Sequence, residues 1–463
     1  MSVKEIDVLL NPKSIAVIGA SRDETSVGHG VLKSLLTGCV FETGNCKGFQ
    51  GKIFPVNPKA EEILGVKCYP NIAAVPESVD VAIIAVPAKF VLDVVKDCVK
   101  KGVKAAAIIS SGFAETGDEG KKLQAELVDT ARKGGMRILG PNCLGFIRPF
   151  LFLNASFALA TPPAGDVAFL TQSGAMADSI IDWALKERYT FSGLVSLGNM
   201  SDLDAADFVE WFANDPQTKA ITIYLEWLKD GKKFMNAVRE ATKKKPVIVL
   251  KGGRTSAGEK AIGSHTGALT GSYEVYAAAV RQSGGLIADS IEELVYLGEA
   301  LSEMPRAKEN AVVIVTNAGG PGVLCADYCE RFGVKLVELK KETVEKMDAS
   351  GIMNPAYSRR NPLDLVGDAL PNRYETAINT LFAEDYVQGI IAIQTLQTMT
   401  DPIADAKILI EAHKKFPVKP IIAVFMGGKF TDPSIRLLHE NDIPTYNDPL
   451  KGAEAMAALC GLL

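Results

Sequence analysis

The sequence predicts an α/β protein made of three doubly wound units. Three observations carry this expectation. Short β-branched runs alternate with polar or amphipathic stretches along the whole chain, the pattern of a parallel sheet with crossover helices. The alternation pauses twice, at Thr161-Pro162-Pro163-Ala164-Gly165 and at Pro305-Arg306-Ala307-Lys308-Glu309. The length of 463 residues suits three domains, at roughly 100 to 200 residues each.

In chain order, the first unit holds the strand candidates SIAVIG, KIFPVNP, DVAIIAVP, AAAIISSG and MRILGPN. DVAFLTQSG, GLVSLGN, AITIYLE and PVIVLKGG follow in the second, and AVVIVTNAGG, GVKLVEL, GIIAIQT and PIIAVFMGG in the third. The expected domains are residues 1–137, 138–304 and 305–463. No short-period repeat is present, although the three units share one architecture.

Hydrophobic residues make up 47% and charged residues 23%, close to soluble globular averages and unlike disordered or collagenous chains. The longest apolar stretches, such as Asp80 to Val86 and Ala311 to Thr316, fall far below the roughly 18 residues of a membrane span. Charges interrupt the apolar part of MSVKEIDVLLNPKS, so no secretory signal is read there and a cytoplasmic location is expected. Fifty basic and 55 acidic residues give a net charge of -5 without long runs of one sign, which argues against a nucleic-acid partner. The eight cysteines are scattered, and most are expected to be buried thiols. None of the four histidines, His29, His265, His413 and His439, has metal-ligand spacing, so no metal site is predicted.

Ligands of open α/β sheets sit beyond the carboxyl ends of the strands. In the first unit these ends carry Gly19 and Ser21, Asn57 and Lys59, Val86 and Pro87, Ser111 and Gly112, and Asn142. A dinucleotide site needs G-x-G-x-x-G after the first strand and an acid after the second. Neither is present, and Lys59 either suits a phosphorylated ribose such as that of coenzyme A or merely caps a loop. The span Gly253 to Lys260 has Glu259 where a P-loop requires glycine. ATP binding through a P-loop is thereby excluded.

Two glycine turns lead from strands into helices, Thr171-Gln172-Ser173-Gly174-Ala175-Met176 and Asn317-Ala318-Gly319-Gly320-Pro321-Gly322. Helix N-termini favour anions, so both are candidate phosphate cradles. His265 lies in Lys251 to Leu269, expected to be a long mobile loop rich in small residues. A lone loop histidine is ordinarily just solvated, but glycine and hydroxyl residues flank this one on both sides. With the two cradles it suggests phosphohistidine chemistry, with His265 as nucleophile and Glu226, at the end of a buried strand, as the supporting carboxylate.

The ordered set NPKSIAVIGAS, GKIFPVNPK, VPAKFV, SSGFAETG, GPNCLG, TQSGAMA, SLGN, SHTGAL, TNAGGPG and NPLDL resembles the α subunit of NDP-forming acyl-CoA synthetases, relatives of succinyl-CoA synthetase. The resemblance covers essentially the whole chain. It implies a Rossmann-like CoA-binding domain followed by two flavodoxin-like, succinyl-CoA synthetase-like domains. By the same resemblance His265 of Ser264-His265-Thr266-Gly267 is phosphorylated, Glu226 supports it, and Gln172, Ser173 and Gly174 form the phosphate loop. The implied reaction is acyl-CoA + ADP + phosphate ⇌ carboxylic acid + CoA + ATP, through an acyl phosphate and phosphohistidine. Nucleotide and Mg are expected on an ATP-grasp β subunit in an α2β2 assembly, because the chain reaches Leu463 within its third α/β unit. Two departures stand out. Trp227 replaces the family's glycine after the acid and would narrow the space beside Glu226, and Cys39 to Gln50 reads as an insertion. The rival readings are an NAD-dependent dehydrogenase and a non-catalytic CoA-binding regulator.

Overall fold

The β-branched runs become strands because their side chains find apolar partners on both sheet faces. In the computed structural model, strand β1 (Ser14–Ile18) is buried at all five positions. Its Ile15 and Val17 join one core while Ala16 and Ile18 join another, the period-two alternation of an extended chain. The structure describes residues 3–41, 46–266 and 272–463, with residues 3–5 and 263–266 described by their backbone alone. It divides into two compact units, Met1–Leu294 and Val295–Leu463.

The first unit contains two large sheets. After β1 come β2 (Lys52–Val56), a small hairpin of β3 (Glu62–Ile63) and β4 (Val66–Lys67), then β5 (Val81–Ile84), β6 (Ala105–Ile108) and β7 (Arg137–Leu139). The parallel order is β2-β1-β5-β6-β7. The chain continues through β8 (Gly145–Arg148), β9 (Leu153–Ser156), β10 (Ala164–Thr171), β11 (Phe191–Ser196), β12 (Ala220–Leu225), β13 (Val247–Lys251) and β14 (Leu286–Ala288). These order as β14-β13-β12-β10-β11-β8-β9, parallel except for the antiparallel β8–β9 edge. Ile15, Val17, Val81 and Ile83 of the first sheet share a core with Leu170, Val195, Ile221 and Val249 of the second. That common core makes the two sheets one unit.

The second unit has β15 (Val312–Thr316), β16 (Leu363–Asp364), β17 (Gly389–Thr395), β18 (Ile421–Met426) and β19 (Thr445–Tyr446), all parallel, in the order β16-β15-β17-β18-β19. Each sheet reverses its winding beside its first parallel strand, at β1/β5, β10/β12 and β15/β17. Such switch points open a crevice at the strands' carboxyl ends.

Two expectations are corrected. GVKLVEL makes only a single bridge, Val312 to Leu336. The Asn361 side chain inserts there, donating to Val312 O at 2.8 Å and Val337 O at 3.0 Å and accepting from Ile314 N at 3.0 Å. The place beside β15 goes to β16 instead. The long loop predicted around His265 is in part a helix, Ser256–Thr266. Thr255 starts it, its Oγ1 accepting from Gly258 N at 3.2 Å, and Ile262 anchors it in the interior. The expectation that most cysteines are buried thiols holds, while Cys39 and Cys46, within the Cys39 to Gln50 segment, form a disulfide. Cys68, Cys98, Cys143, Cys325 and Cys329 are buried thiols and Cys460 is half-buried.

Candidate active site

The carboxyl ends of the two sheets of the first unit meet at a cavity of 540 Å³. Val86 and Pro87 after β5, Ser111 after β6, and Asn142 after β7 line it from the first sheet. Gln172, Ser173 and Gly174 after β10 line it from the second. These seven predicted site residues, from both the CoA and the phosphate sets, therefore share one cavity. Sequence reasoning missed Val27, Leu144 and Phe157 in its wall. Phe157 follows the β9 edge strand, which no motif announced.

The turn after β10 is built by short-range bonds. Thr171 Oγ1 donates to Ser173 O and accepts from Ser173 N, both at 3.0 Å. Ser173 is the N-cap of the helix Gly174–Glu187, its Oγ accepting from Met176 N at 3.3 Å. The N–H groups of Gly174 and Ala175, both in the cavity wall, lie in the helix's first turn, where no intrahelical acceptor exists. A Cβ on Gly174 would meet only Leu144, at an ordinary 3.5 Å or more. The fold thus tolerates a side chain there, and what the glycine keeps open is the cavity. Aligned peptide dipoles add positive potential at this end of the 14-residue helix.

The Gln172 side chain also bonds beyond the turn. Its Oε1 accepts from Glu226 N, and from Trp227 N at 3.0 Å, while Nε2 points at Met200 Sδ. The side chain thus clamps the phosphate turn to the end of β12. Glu226 is 6% exposed, and Tyr224 Oη donates to its Oε1 at 3.4 Å. Burial, then the nearby Glu226 charge, pushes the Tyr224 hydroxyl up to about 12. Burial draws the ammonium of Lys251, at the end of β13, below its usual range, opposed by attraction to Glu226 and Glu259. Trp227 packs against the core, and it is not among the residues of the cavity wall. The His265 side chain, and Gly267 entirely, lie outside the described residues; the His265 backbone is in the last turn of the helix after β13.

The remaining predicted residues stand apart from that cavity wall. Gly19 has a backbone reason to be glycine: its φ is +97°, and a Cβ would collide with the Ala85 carbonyl. Ser21 Oγ accepts from Asp23 N at 3.0 Å, and Asn57 donates to Ala20 O at 2.7 Å while its Oδ1 accepts from Lys59 N. The Lys59 side chain is exposed. Gly112, at φ +106°, receives the Glu115 carboxylate on its N–H at 2.6 Å. In the second unit, Gly319 and Gly320 begin the helix Gly319–Arg331. Thr316 and Ala318 repeat the Thr171–Ser173 pattern at 3.0 Å. Asn317, like Gln172, clamps the neighbouring strand end, through Thr395. Among the described residues no cluster of metal-ligating side chains occurs, and no helix is long and apolar enough to cross a membrane.

Three family models match the chain: a CoA binding domain over residues 13–149, a succinyl-CoA ligase like flavodoxin domain over 164–301, and a Ligase-CoA domain over 312–460. The α subunit of ADP-forming acetate–CoA ligase II from Pyrococcus furiosus is 42% identical over 98% of this chain and 97% of that protein. The ADP-forming acetate–CoA ligase of Methanocaldococcus jannaschii is also 42% identical over 98% of this chain, which spans only 63% of that longer protein. Among solved structures, acetyl-coenzyme A synthetase 1 of Ca. Korarchaeum cryptofilum, in complex with phosphate and ADP, matches with a TM-score of 0.92. It is 36% identical, over 99% of this chain and 96% of that one. These relatives are ligases rather than regulators or dehydrogenases. The chain belongs to the ADP-forming acetate–CoA ligase family, on the side of its α subunits.

Proposed function

We propose that the chain catalyses the acyl-transfer half of acyl-CoA + ADP + phosphate ⇌ carboxylic acid + CoA + ATP. The observation that carries this reading is the single cavity shared by the strand ends of the CoA-binding domain and the unspent amides of the phosphate turn. On this reading the pantetheine arm runs past Val86 and Pro87 and ends near Ser111 and Asn142. Phosphate rests on the Gly174 and Ala175 amides, within reach of the thioester. A phosphate oxygen attacks the acyl carbon, the C–S bond breaks, and the thiolate leaves and is protonated as CoA. The acyl phosphate then loses its phosphoryl group to an imidazole nitrogen of His265, releasing the carboxylate.

Glu226 accepts a hydrogen bond from the proton-bearing nitrogen of that ring and stabilises the cation formed during attack. The Gln172 clamp supports this role, since it ties Glu226 to the turn that would hold phosphate. The Asn317–Gly320 turn of the second unit is proposed as a further phosphate cradle. Gly19, Ser21, Asn57, Lys59 and Gly112 belong to the proposed CoA domain, residues 1–137, followed by 138–304 and 305–463. The phosphoryl group passes to ADP on an ATP-grasp β subunit, with α2β2 as the proposed assembly and the cytoplasm as its location.

The test is labelling by radioactive phosphate in the presence of acetyl-CoA. The wild-type chain is expected to gain acid-labile, base-stable label, and His265→Ala to lose it while keeping CoA affinity. Glu226→Gln should slow labelling by about 10²-fold, the usual scale for one electrostatic contact in a transition state. Undiminished label on the His265→Ala chain would sink the assignment.

A further inference from the structure

We infer that Glu115 is a positioning residue that, through Asn199, fixes the orientation of the Asn142 amide and so presents a carbonyl oxygen to the cavity. This inference rests on the reading that the cavity takes the thiol end of coenzyme A. Glu115 sits in the short turn Ala114–Thr116 after β6. Its Oε1 accepts from Gly112 N at 2.6 Å and Phe113 N at 3.1 Å, and its Oε2 accepts from Asn199 Nδ2 at 2.6 Å. The same Asn199 nitrogen donates to Gln124 Oε1 at 3.0 Å.

An ionised carboxylate accepts and cannot donate. Burial alone would raise the Glu115 pKa, but the bonds from Asn199, Gly112 and Phe113 outweigh it and hold the carboxyl below its ordinary range. With both amide hydrogens committed, Asn199 has only its Oδ1 left, and this oxygen meets Asn142 Nδ2 at 3.4 Å. Amide orientation follows from such a network and from nothing else in an Asn side chain. Asn142, exposed in the cavity wall, therefore turns its nitrogen toward Asn199, one of its two hydrogens taken there, and offers Oδ1 as an acceptor.

The backbone holds this geometry in place. Asn142 has φ 57°, donates its N–H to Ser110 O at 3.0 Å, and its loop receives Asn199 N on Pro141 O at 2.9 Å and Ser201 Oγ on Gly140 O at 2.7 Å. The group that such an acceptor recognises is a donor at the end of the CoA arm, either the thiol S–H or the terminal amide N–H.

The test measures CoA and desulfo-CoA binding to the full chain by calorimetry. Glu115→Gln keeps the shape but removes the acceptor-only anchor, so the Asn199 and Asn142 amides can turn over. CoA affinity is expected to fall about 5- to 10-fold, the size of one hydrogen bond, with the fold retained by circular dichroism. Adding Asn199→Asp restores an acceptor-only link in the middle of the chain. The amide introduced at position 115 then donates to the carboxylate introduced at position 199, and that carboxylate accepts from Asn142. The double variant should recover CoA affinity to within about 2-fold. A merely structural role predicts no such recovery.

Desulfo-CoA separates the two donors. If the thiol is read, Glu115→Gln leaves desulfo-CoA affinity unchanged; if the amide is read, both ligands weaken equally. Should Glu115→Gln lose its fold, Asn142→Gly, which suits the positive φ, replaces it and must show the same loss. Unaltered CoA affinity in Glu115→Gln, or a double variant no better than Glu115→Gln alone, overturns the inference. A wild-type chain that binds no CoA overturns the reading beneath it, and the inference falls with it.

Discussion

Two buried aspartates show how neighbours decide the sign of a residue's contribution. Asp202 is 3% exposed yet accepts from Arg132 Nε at 2.7 Å, Arg137 Nε at 2.8 Å and Ile138 N at 2.9 Å. Burial would raise its pKa, but the Arg137 guanidinium and these donors overcome that and lower it. A depressed pKa contributes stability that is present above the unfolded carboxylate value and lost as pH falls through the folded one. Asp202→Ala, which strands Arg137 in the interior, is expected to cost about 3 to 5 kcal/mol at neutral pH in denaturant unfolding. Asp405 is 1% exposed and neither carboxylate oxygen has a partner among the described residues. Burial, and then Asp401, pushes its pKa up to about 7. Here the folded state holds a proton that the unfolded chain gives up, so stability falls as pH rises from the ordinary carboxylate value to about 7 and is level above. Asp405→Asn should abolish this dependence and be the more stable protein at pH 7, by an amount on the order of 4 kcal/mol. Melting curves between pH 4 and 8 check it, and parallel curves for both proteins would refute it.

At the scale of elements, the turn Thr171-Gln172-Ser173-Gly174 and its counterpart Thr316-Asn317-Ala318-Gly319 use the same threonine bonds and the same amide clamp. The two glycines that open them are therefore separable from the residues that build them. Ser173→Ala removes the N-cap and should lower stability by about 1 kcal/mol while reducing phosphate-dependent labelling only modestly. Gly174→Val puts branched carbons where the fold leaves room, and should abolish labelling with little change in unfolding. The reverse pattern would mean that the serine does the chemistry and the glycine only shapes the turn. The strands and both glycine turns were legible in the sequence because local alternation and turn chemistry encode them. Neither clamp was legible, because Gln172 reaches Glu226 and Asn317 reaches Thr395 through sheet neighbours distant in sequence. The Ser256–Thr266 helix was missed because its glycines masked the Thr255 cap. The β8–β9 edge, which brings Phe157 to the cavity, pairs antiparallel in an otherwise parallel pattern. Glu115 was visible only as part of SSGFAETG; its partner Asn199 lies 84 positions away.

At the scale of the molecule, labelling and ATP synthesis should come apart. The sequence has no P-loop, and the three matched domains are a CoA-binding domain and two ligase domains. The chain spans nearly all of a separate α subunit but only 63% of a single-chain ligase, so the nucleotide chemistry of the complete enzyme is expected on what that longer relative adds. The cavity of the first unit, by contrast, brings the proposed thioester and phosphate sites together within one compact body. The 463-residue chain by itself is therefore expected to bind CoA and accept phosphate from acetyl-CoA and phosphate, stopping at one phosphoryl group per chain because no acceptor follows. Adding ADP alone should release no ATP; adding ADP together with an ATP-grasp subunit should discharge the label and turn a single event into continuous turnover. Luminescent detection of ATP alongside the radioactive label reads both halves in one tube. Steady ATP release from the rigorously purified chain with ADP would show that it carries a nucleotide site of its own, and the division of labour proposed between two subunits would be wrong.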